Sequence, residues 1–205
     1  AMSAFWNGGQ NCSANMRQLI AAPLVEEFTT RVCERVKAFR LGDPLDPNTD
    51  IGSMITRDHK TMVMDYIRSG QDQGAQLVMG GDSDLPGYFI EPAVFQNVTP
   101  DMKIAREEIF GPVLGIMPVQ SAEEALAIAC DTEYGLHASV FTRDIDRAIH
   151  MARSLPCGTV SVNGFSEGDI KTPFGGYKQS GSLSRDNGTE ALAQYMQTKT
   201  IWIST

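Results

Sequence analysis

A cysteine placed directly after a glycine pair, Cys12 in FWNGGQNCSANMR, is the residue of this sequence best suited to nucleophilic chemistry. Glycines let the backbone turn tightly and leave the neighbouring side chain accessible. The SANM that follows is compatible with a helix start, where free N–H groups and the helix dipole favour a thiolate. A thiolate is a strong nucleophile, and free cysteine is already a few per cent thiolate at neutral pH. On composition alone, the same residue also reads as a small buried core side chain. A second segment, REEIFGP at 106–112, sets two carboxylates before an aromatic and a Gly-Pro turn. Such a pair is ordinarily a solvated surface feature. Held at a chain reversal beside an aromatic face, a carboxylate there can also hydrogen-bond a sugar hydroxyl while the ring stacks. The third segment, NGFSEGDIKTPFGGYKQSG at 163–181, is rich in glycine. Its Phe165 and Phe174 either line an apolar pocket or anchor the loop to the core.

The elements that must hold these segments alternate between strand and helix patterns, which predicts an α/β fold with a largely parallel sheet. Residues 17–21 read as a short strand. Pro23 then suits the first turn of a helix, whose apolar stripe is Val25, Phe28, Val32, Val36 and Phe39. A second helix is expected over 57–69, with Gly70 as its stop. A strand is expected over 76–79, ended by the turn cluster GGDSDLPG, and a buried strand over 113–119. Ser121 and Glu124 form a capping box for the next helix. A strand at 137–141, a helix at 144–155 with Ile145, Ala148, Ile149 and Ala152 facing inward, and a strand at 159–162 close the alternation. Residues 163–188 read as a long ordered loop of the kind that carries function. The last apolar run, TKTIWI at 198–203, has the alternation of a strand without an obvious partner.

Bulk composition narrows the field of activities. Seventeen basic against 25 acidic residues give a net charge of −8, which repels a polyanion, so nucleic acid is not an expected partner. No apolar stretch approaches the roughly 20 residues of a membrane helix, and AMSAFWNGGQ lacks the pattern of a secretory signal. Four widely spaced cysteines include no CxxC pair and no neighbouring histidine, so no metal site is expected. Reduced thiols in a cytoplasm are the expected state.

Taken together and in this order, the three segments resemble the aldehyde dehydrogenase superfamily. GQNC is similar to its nucleophile motif, EEIFGPV to its cofactor-contacting motif and PFGGYKQSG to its late loop motif. The resemblance extends through GYFIEPAVF, YGLHASVFT and GTVSVN to both ends of the chain. It implies an aldehyde dehydrogenase catalytic domain over 1–194 and a C-terminal oligomerisation tail over 195–205. The implied activity is oxidation of an aldehyde to a carboxylate through a thiohemiacetal and a thioester on Cys12, whose backbone N–H is one donor to the oxyanion. Glu108 then matches the glutamate that binds the nicotinamide ribose, and Phe110 the aromatic packed near the nicotinamide. Phe174 and Phe165 match the wall of the substrate tunnel, and Asn163 an asparagine close to the active site.

Three parts of the family pattern belong upstream of Ala1: the dinucleotide-binding domain, the glutamate that activates water, and the asparagine of the second oxyanion contact. There is no G-x-G-x-x-G in the chain. NAD or NADP is therefore the cofactor expected of the full-length parent, and none is expected on this stretch alone. One departure is Met16, where the family commonly shows a small residue; it is expected to alter packing beneath the loop and not the chemistry. The loop and the terminal KTIWI look most like dehydrogenases of aminoaldehydes or γ-glutamylaminobutyraldehyde, with Glu167 and Asp169 able to attract a cationic substrate end. The tail implies a homo-oligomer. Two readings of other classes remain: a scaffold or binding module that kept the fold without the reaction, and a weak thiol esterase.

Overall fold

Apolar residues three and four apart, with Glu26 and Glu27 in the first turn and Arg35 and Lys37 in the last, specify one face and both ends of the first long helix. The computed structural model describes every residue except Glu167 and Ser182. The chain divides into two compact units, Ala1–Thr132 and Glu133–Thr205.

In the first unit the order is α1 (Met2–Phe5), a 3-10 turn (Trp6–Gly9), β1 (Arg17–Ala21), α2 (Val25–Lys37), α3 (Arg57–Asp72), β2 (Gln76–Asp82), β3 (Ile90–Gln96), α4 (Lys103–Arg106), β4 (Val113–Val119) and α5 (Ala122–Cys130). The sheet order is β1-β4-β3-β2, with β1–β4 and β3–β4 parallel and β2–β3 antiparallel. Strands β3 and β4 are buried on both faces, and their alternate residues feed separate cores. Phe95, Val113 and Met117 join Val63 and Ile67 of α3 and Ile104 of α4. Val94, Leu114 and Ile116 join Val32 and Val36 of α2 and Phe5 of α1. The α/β architecture with helices on both faces of a mostly parallel sheet is thus the one expected.

Strand β3 has no counterpart among the sequence expectations, and the ends of α3 and β2 lie beyond those expected. Gly70 does not stop α3 but lies inside it, where an added Cβ would stand 2.9 Å from Ile104 Cδ1. The stop is Gly74, at φ +96°, in a Schellman arrangement: its N–H donates to Gln71 O at 3.0 Å and that of Ala75 to Gly70 O at 2.9 Å. Strand β2 runs on through Gly80 and Gly81 with register shifts, because Gly80 passes so close to Pro92 that a Cβ would be 2.0 Å from its carbonyl oxygen. The capping box forms, Ser121 Oγ accepting from Glu124 N–H at 3.0 Å, while the Glu124 carboxylate reaches one residue further back, to Gln120 N–H.

The second unit is built on β5 (His137–Val140), α6 (Ile145–Ser154) and β6 (Thr159–Val162), the two strands pairing in parallel. Asp144 caps α6 by accepting from the N–H groups of Asp146 and Arg147. Of the expected inward stripe, Ala148 is buried, but Ile145 and Ile149 are 68% and 44% exposed. Two strands present too narrow a surface to cover the whole stripe. The loop at 163–188 is held by backbone: Phe174 and Asp186 exchange both hydrogen bonds, and Gly158 lies so near Gly175 that a Cβ would be 1.6 Å from its carbonyl oxygen. The strand expected over 198–203 does not form in the chain alone. Residues 196–205 have no regular structure and no ladder partner among the described residues, and Trp202 is 87% exposed. A strand needs a neighbour for its hydrogen bonds, and none is supplied here.

Candidate active site

Cys12 occupies a turn between the Trp6–Gly9 segment and β1, with its side chain exposed. No helix follows it, contrary to the expectation from SANM, since the chain passes directly from the turn into β1. Three consecutive residues, Asn7, Gly8 and Gly9, have left-handed φ values of 53°, 63° and 69°, and only the glycines take that conformation without strain. The loop is tied down by side chains. Gln10 Oε1 accepts from Ile55 N–H at 3.0 Å, and Asn7 Nδ2 donates to Gln10 O at 2.9 Å. Asn11 Oδ1 accepts from Ser13 N–H at 3.2 Å and lies 3.9 Å from the Cys12 sulfur. Beneath it, Ser13 is 1% exposed and its hydroxyl has no partner among the described residues. Met16 is partly buried and packs against the larger core cluster.

Glu108 and Phe110 lie on the turn between α4 and β4. The adjacent carboxylates behave differently. Glu107 accepts from Tyr66 OH at 2.7 Å and pairs with Lys103 at 3.9 Å. Glu108 is exposed and makes no hydrogen bond to another described residue. Phe110 is half-buried with φ +54°, a conformation that costs a bulky residue about 1–3 kcal/mol and persists only where neighbours enforce it.

Gly111 joins this turn to the Cys12 loop. A Cβ on Gly9 would stand 2.2 Å from the Gly111 carbonyl oxygen, and a Cβ on Gly111 would stand 2.6 Å from Cγ2 of the buried Val63. The two segments therefore meet backbone to backbone, pressed against α3. Cys12, Glu108 and Phe110 stand out in the sequence by type, whereas the Gly9–Gly111–Val63 stack that brings their segments together leaves no mark there. A nicotinamide ribose fits this arrangement: a carboxylate with open acceptor positions stands two residues from a partly exposed ring, on a turn locked to a thiol-bearing loop.

The other predicted site residues belong to the second unit. Asn163, at φ +55°, uses both ends of its amide on Thr142, accepting from its N–H and donating to its carbonyl, each at 2.9 Å. It thereby fixes the end of β6 to the turn after β5. Phe165 packs edge-on against His137, ring centroids 5.2 Å apart. Phe174 is half-buried, its backbone bridged to Asp186. Asp169 accepts from Lys171 N–H at 2.9 Å, closing its own exposed turn, and Glu167 lies outside the described residues. No group of three metal-ligating side chains occurs among the described residues, no disulfide joins the four cysteines, and no described helix is long and apolar enough to cross a membrane.

The first unit is an α/β framework that carries an exposed cysteine on a glycine-rich loop, and comparison with known proteins places the chain. Residues 1–201 match the profile of the Aldehyde dehydrogenase family. The chain is 43% identical over 204 residues to a betaine aldehyde dehydrogenase of Brucella anthropi, covering 97% of this chain and 42% of that protein. It is 41% identical over 200 residues to an aminoacetaldehyde dehydrogenase of Pseudomonas aeruginosa, covering 98% and 40%. An indole-3-acetaldehyde dehydrogenase of P. syringae, solved with NAD+ and IAA, superposes with a TM-score of 0.94 at 39% identity, over 100% of this chain and 42% of that one. This chain belongs to the aldehyde dehydrogenase family. It spans about two-fifths of the length of these relatives.

Proposed function

We propose that this chain is the catalytic domain of an NAD(P)-dependent aldehyde dehydrogenase, with Cys12 as nucleophile. The observation that carries this reading is the stack of Gly9 on Gly111, which locks the loop of an exposed cysteine to the turn bearing Glu108 and Phe110. The Cys12 sulfur adds to the aldehyde carbon to give a thiohemiacetal, its backbone N–H donating to the developing oxyanion. When bound, the nicotinamide accepts the hydride that leaves that carbon. The thioester left on Cys12 is then hydrolysed to the carboxylate. Glu108 receives the ribose hydroxyls, and Phe110 packs by the ring. The NAD+ in the P. syringae structure supports NAD as the dinucleotide.

Brief exposure to limiting iodoacetamide, followed by adduct mapping, tests the nucleophile. Cys12 is expected to be labelled first, because Cys33, Cys130 and Cys157 are only partly exposed and burial pushes the Cys33 thiol up against the opposing charge of Lys37. Labelling of Cys33 or Cys130 ahead of Cys12 sinks the assignment. The 205 residues by themselves are expected to give no reduction of NAD with any aldehyde, since one ribose contact cannot hold the dinucleotide at transfer distance. Cys12-dependent NADH formation by this polypeptide would refute that expectation.

The substrate class we infer is an aldehyde bearing an amino or ammonium group, supported by the betaine aldehyde and aminoacetaldehyde relatives. The tail at 195–205 is proposed as an assembly element, because Ile201, Trp202 and Ile203 are 74%, 87% and 79% exposed on a segment with unpaired backbone. Burial of one such side chain is worth at most about 3 kcal/mol, so association should depend on concentration. Sedimentation is expected to show a dimer or larger species for residues 1–205 and a shift towards monomer for a chain ending at Gln197. Two monomers at micromolar concentration would remove the tail from that role. A cytoplasmic location, with its thiols reduced, completes the proposal.

A further inference from the structure

We propose that His59 is a positioning residue that sets the conformation of the Phe110–Gly111 turn and, through it, the Cys12 loop. The inference rests on the reading of Cys12 as nucleophile and Phe110 as the residue beside the nicotinamide. His59 is the third residue of α3, and its height is fixed by the cap: its N–H donates to Thr56 Oγ1 at 3.1 Å. From there its Nε2 lies 2.7 Å from the Phe110 carbonyl oxygen. A carbonyl only accepts, so the Nε2 proton is the one donated. The imidazole also meets the Phe110 ring edge to face, centroids 6.4 Å apart and planes at 75°.

One helical turn further on, at i+4, Val63 faces Gly111 at the closest approach a glycine permits. Two side chains on one face of α3 therefore hold two consecutive residues of the turn. One supplies a hydrogen bond to a left-handed aromatic and the other a wall behind a glycine. Gly9 closes the stack from the opposite neighbour, so a change in the Phe110 conformation displaces the backbone against which the Cys12 loop is built. The hydrogen bond is what holds Phe110 in a region that its side chain disfavours.

The test uses the 205-residue chain with His59→Gln, which keeps an N–H donor, and His59→Leu, which keeps bulk and loses it. In the parent, 15N imidazole shifts are expected to place the proton on Nε2. Backbone shifts of Phe110 and Gly111 should stay at their parent values in the glutamine variant and leave the left-handed pattern in the leucine variant. The rate of Cys12 alkylation should change about threefold or more with leucine and recover with glutamine. A proton on Nδ1, parent-like behaviour of both variants, or equal disturbance in both overturns the proposal. Should the leucine variant not fold, the tautomer and the glutamine variant still decide it. Failure of the proposed function shows separately, as preferential labelling of another thiol, and leaves the Phe110 shifts as a direct reading of His59.

Discussion

Alanine at Phe95 is expected to lower the unfolding free energy of the first unit by about 3–5 kcal/mol, the range for removing a large aromatic from a core that cannot collapse around the gap. Phe95 is 0% exposed on β3, at the centre of the larger core. Its ring edge touches α3 where the helix has no side chain, since Cε1 would stand 3.2 Å from a Cβ on Gly70. The same vacancy that admits the phenyl ring leaves nothing on the helix able to move in after truncation. Urea titration of the parent and of Phe95→Ala checks the figure, and a loss under about 1 kcal/mol would mean that α3 and β3 close up far more readily than their packing implies.

The second large effect is expected at Gly9. Alanine there meets two penalties at once: a φ of +69° and a carbonyl oxygen 2.2 Å from the new methyl. Together they should cost about 2–4 kcal/mol. Gly74 provides the control, because it has φ +96° but nothing within 4 Å of an added Cβ, so Gly74→Ala should cost only about 1 kcal/mol. Chemical denaturation measures the stability difference, and iodoacetamide kinetics measure the site. Gly9→Ala should alter the alkylation rate of Cys12, while Gly74→Ala should leave it unchanged. Equal destabilisation by the two substitutions would show that backbone conformation alone, and not the contact with Gly111, makes Gly9 necessary.

What was legible in the sequence follows from how local each signal is. The stripe of α2 and the apolar run of β4 are written in neighbouring residues. Strand β4 appears over the expected span, while α2 starts after Pro23, which lies in a preceding 3-10 turn, and ends before Phe39. Strand β3 escaped because Pro92 and Glu91 break its pattern; in the fold that proline lies beside the bulged part of β2, facing Gly80. Gly70 read as a stop because a buried glycine under a phenyl ring and a helix-ending glycine look alike in one dimension. The helix expected after Cys12 failed for a related reason: SANM permits a helix, but the chain has to enter the sheet at Arg17. The proposed site residues stand out as types, through their motifs. The meeting of Gly9 with Gly111, and of His59 with Phe110, joins segments far apart in sequence and leaves no local mark.

The sheet order carries a consequence for how the protein is made. Among the described residues strand β1 has a single neighbour, β4, and the two pair in parallel from Arg17 opposite Gly115 to Ala21 opposite Val119. During synthesis from the N-terminus, the segment that cradles Cys12 leaves the ribosome long before the strand that will anchor it. Until β4 emerges, Leu19 and Ile20 lack the strand with which they pair in this sheet. Parallel pairing over such a sequence separation is slow to nucleate, and exposed apolar segments in the interval invite wrong partners. Within this stretch the loop of Cys12 precedes β4 in the order of synthesis, so it acquires its shape only once the strand that anchors its exit has been made.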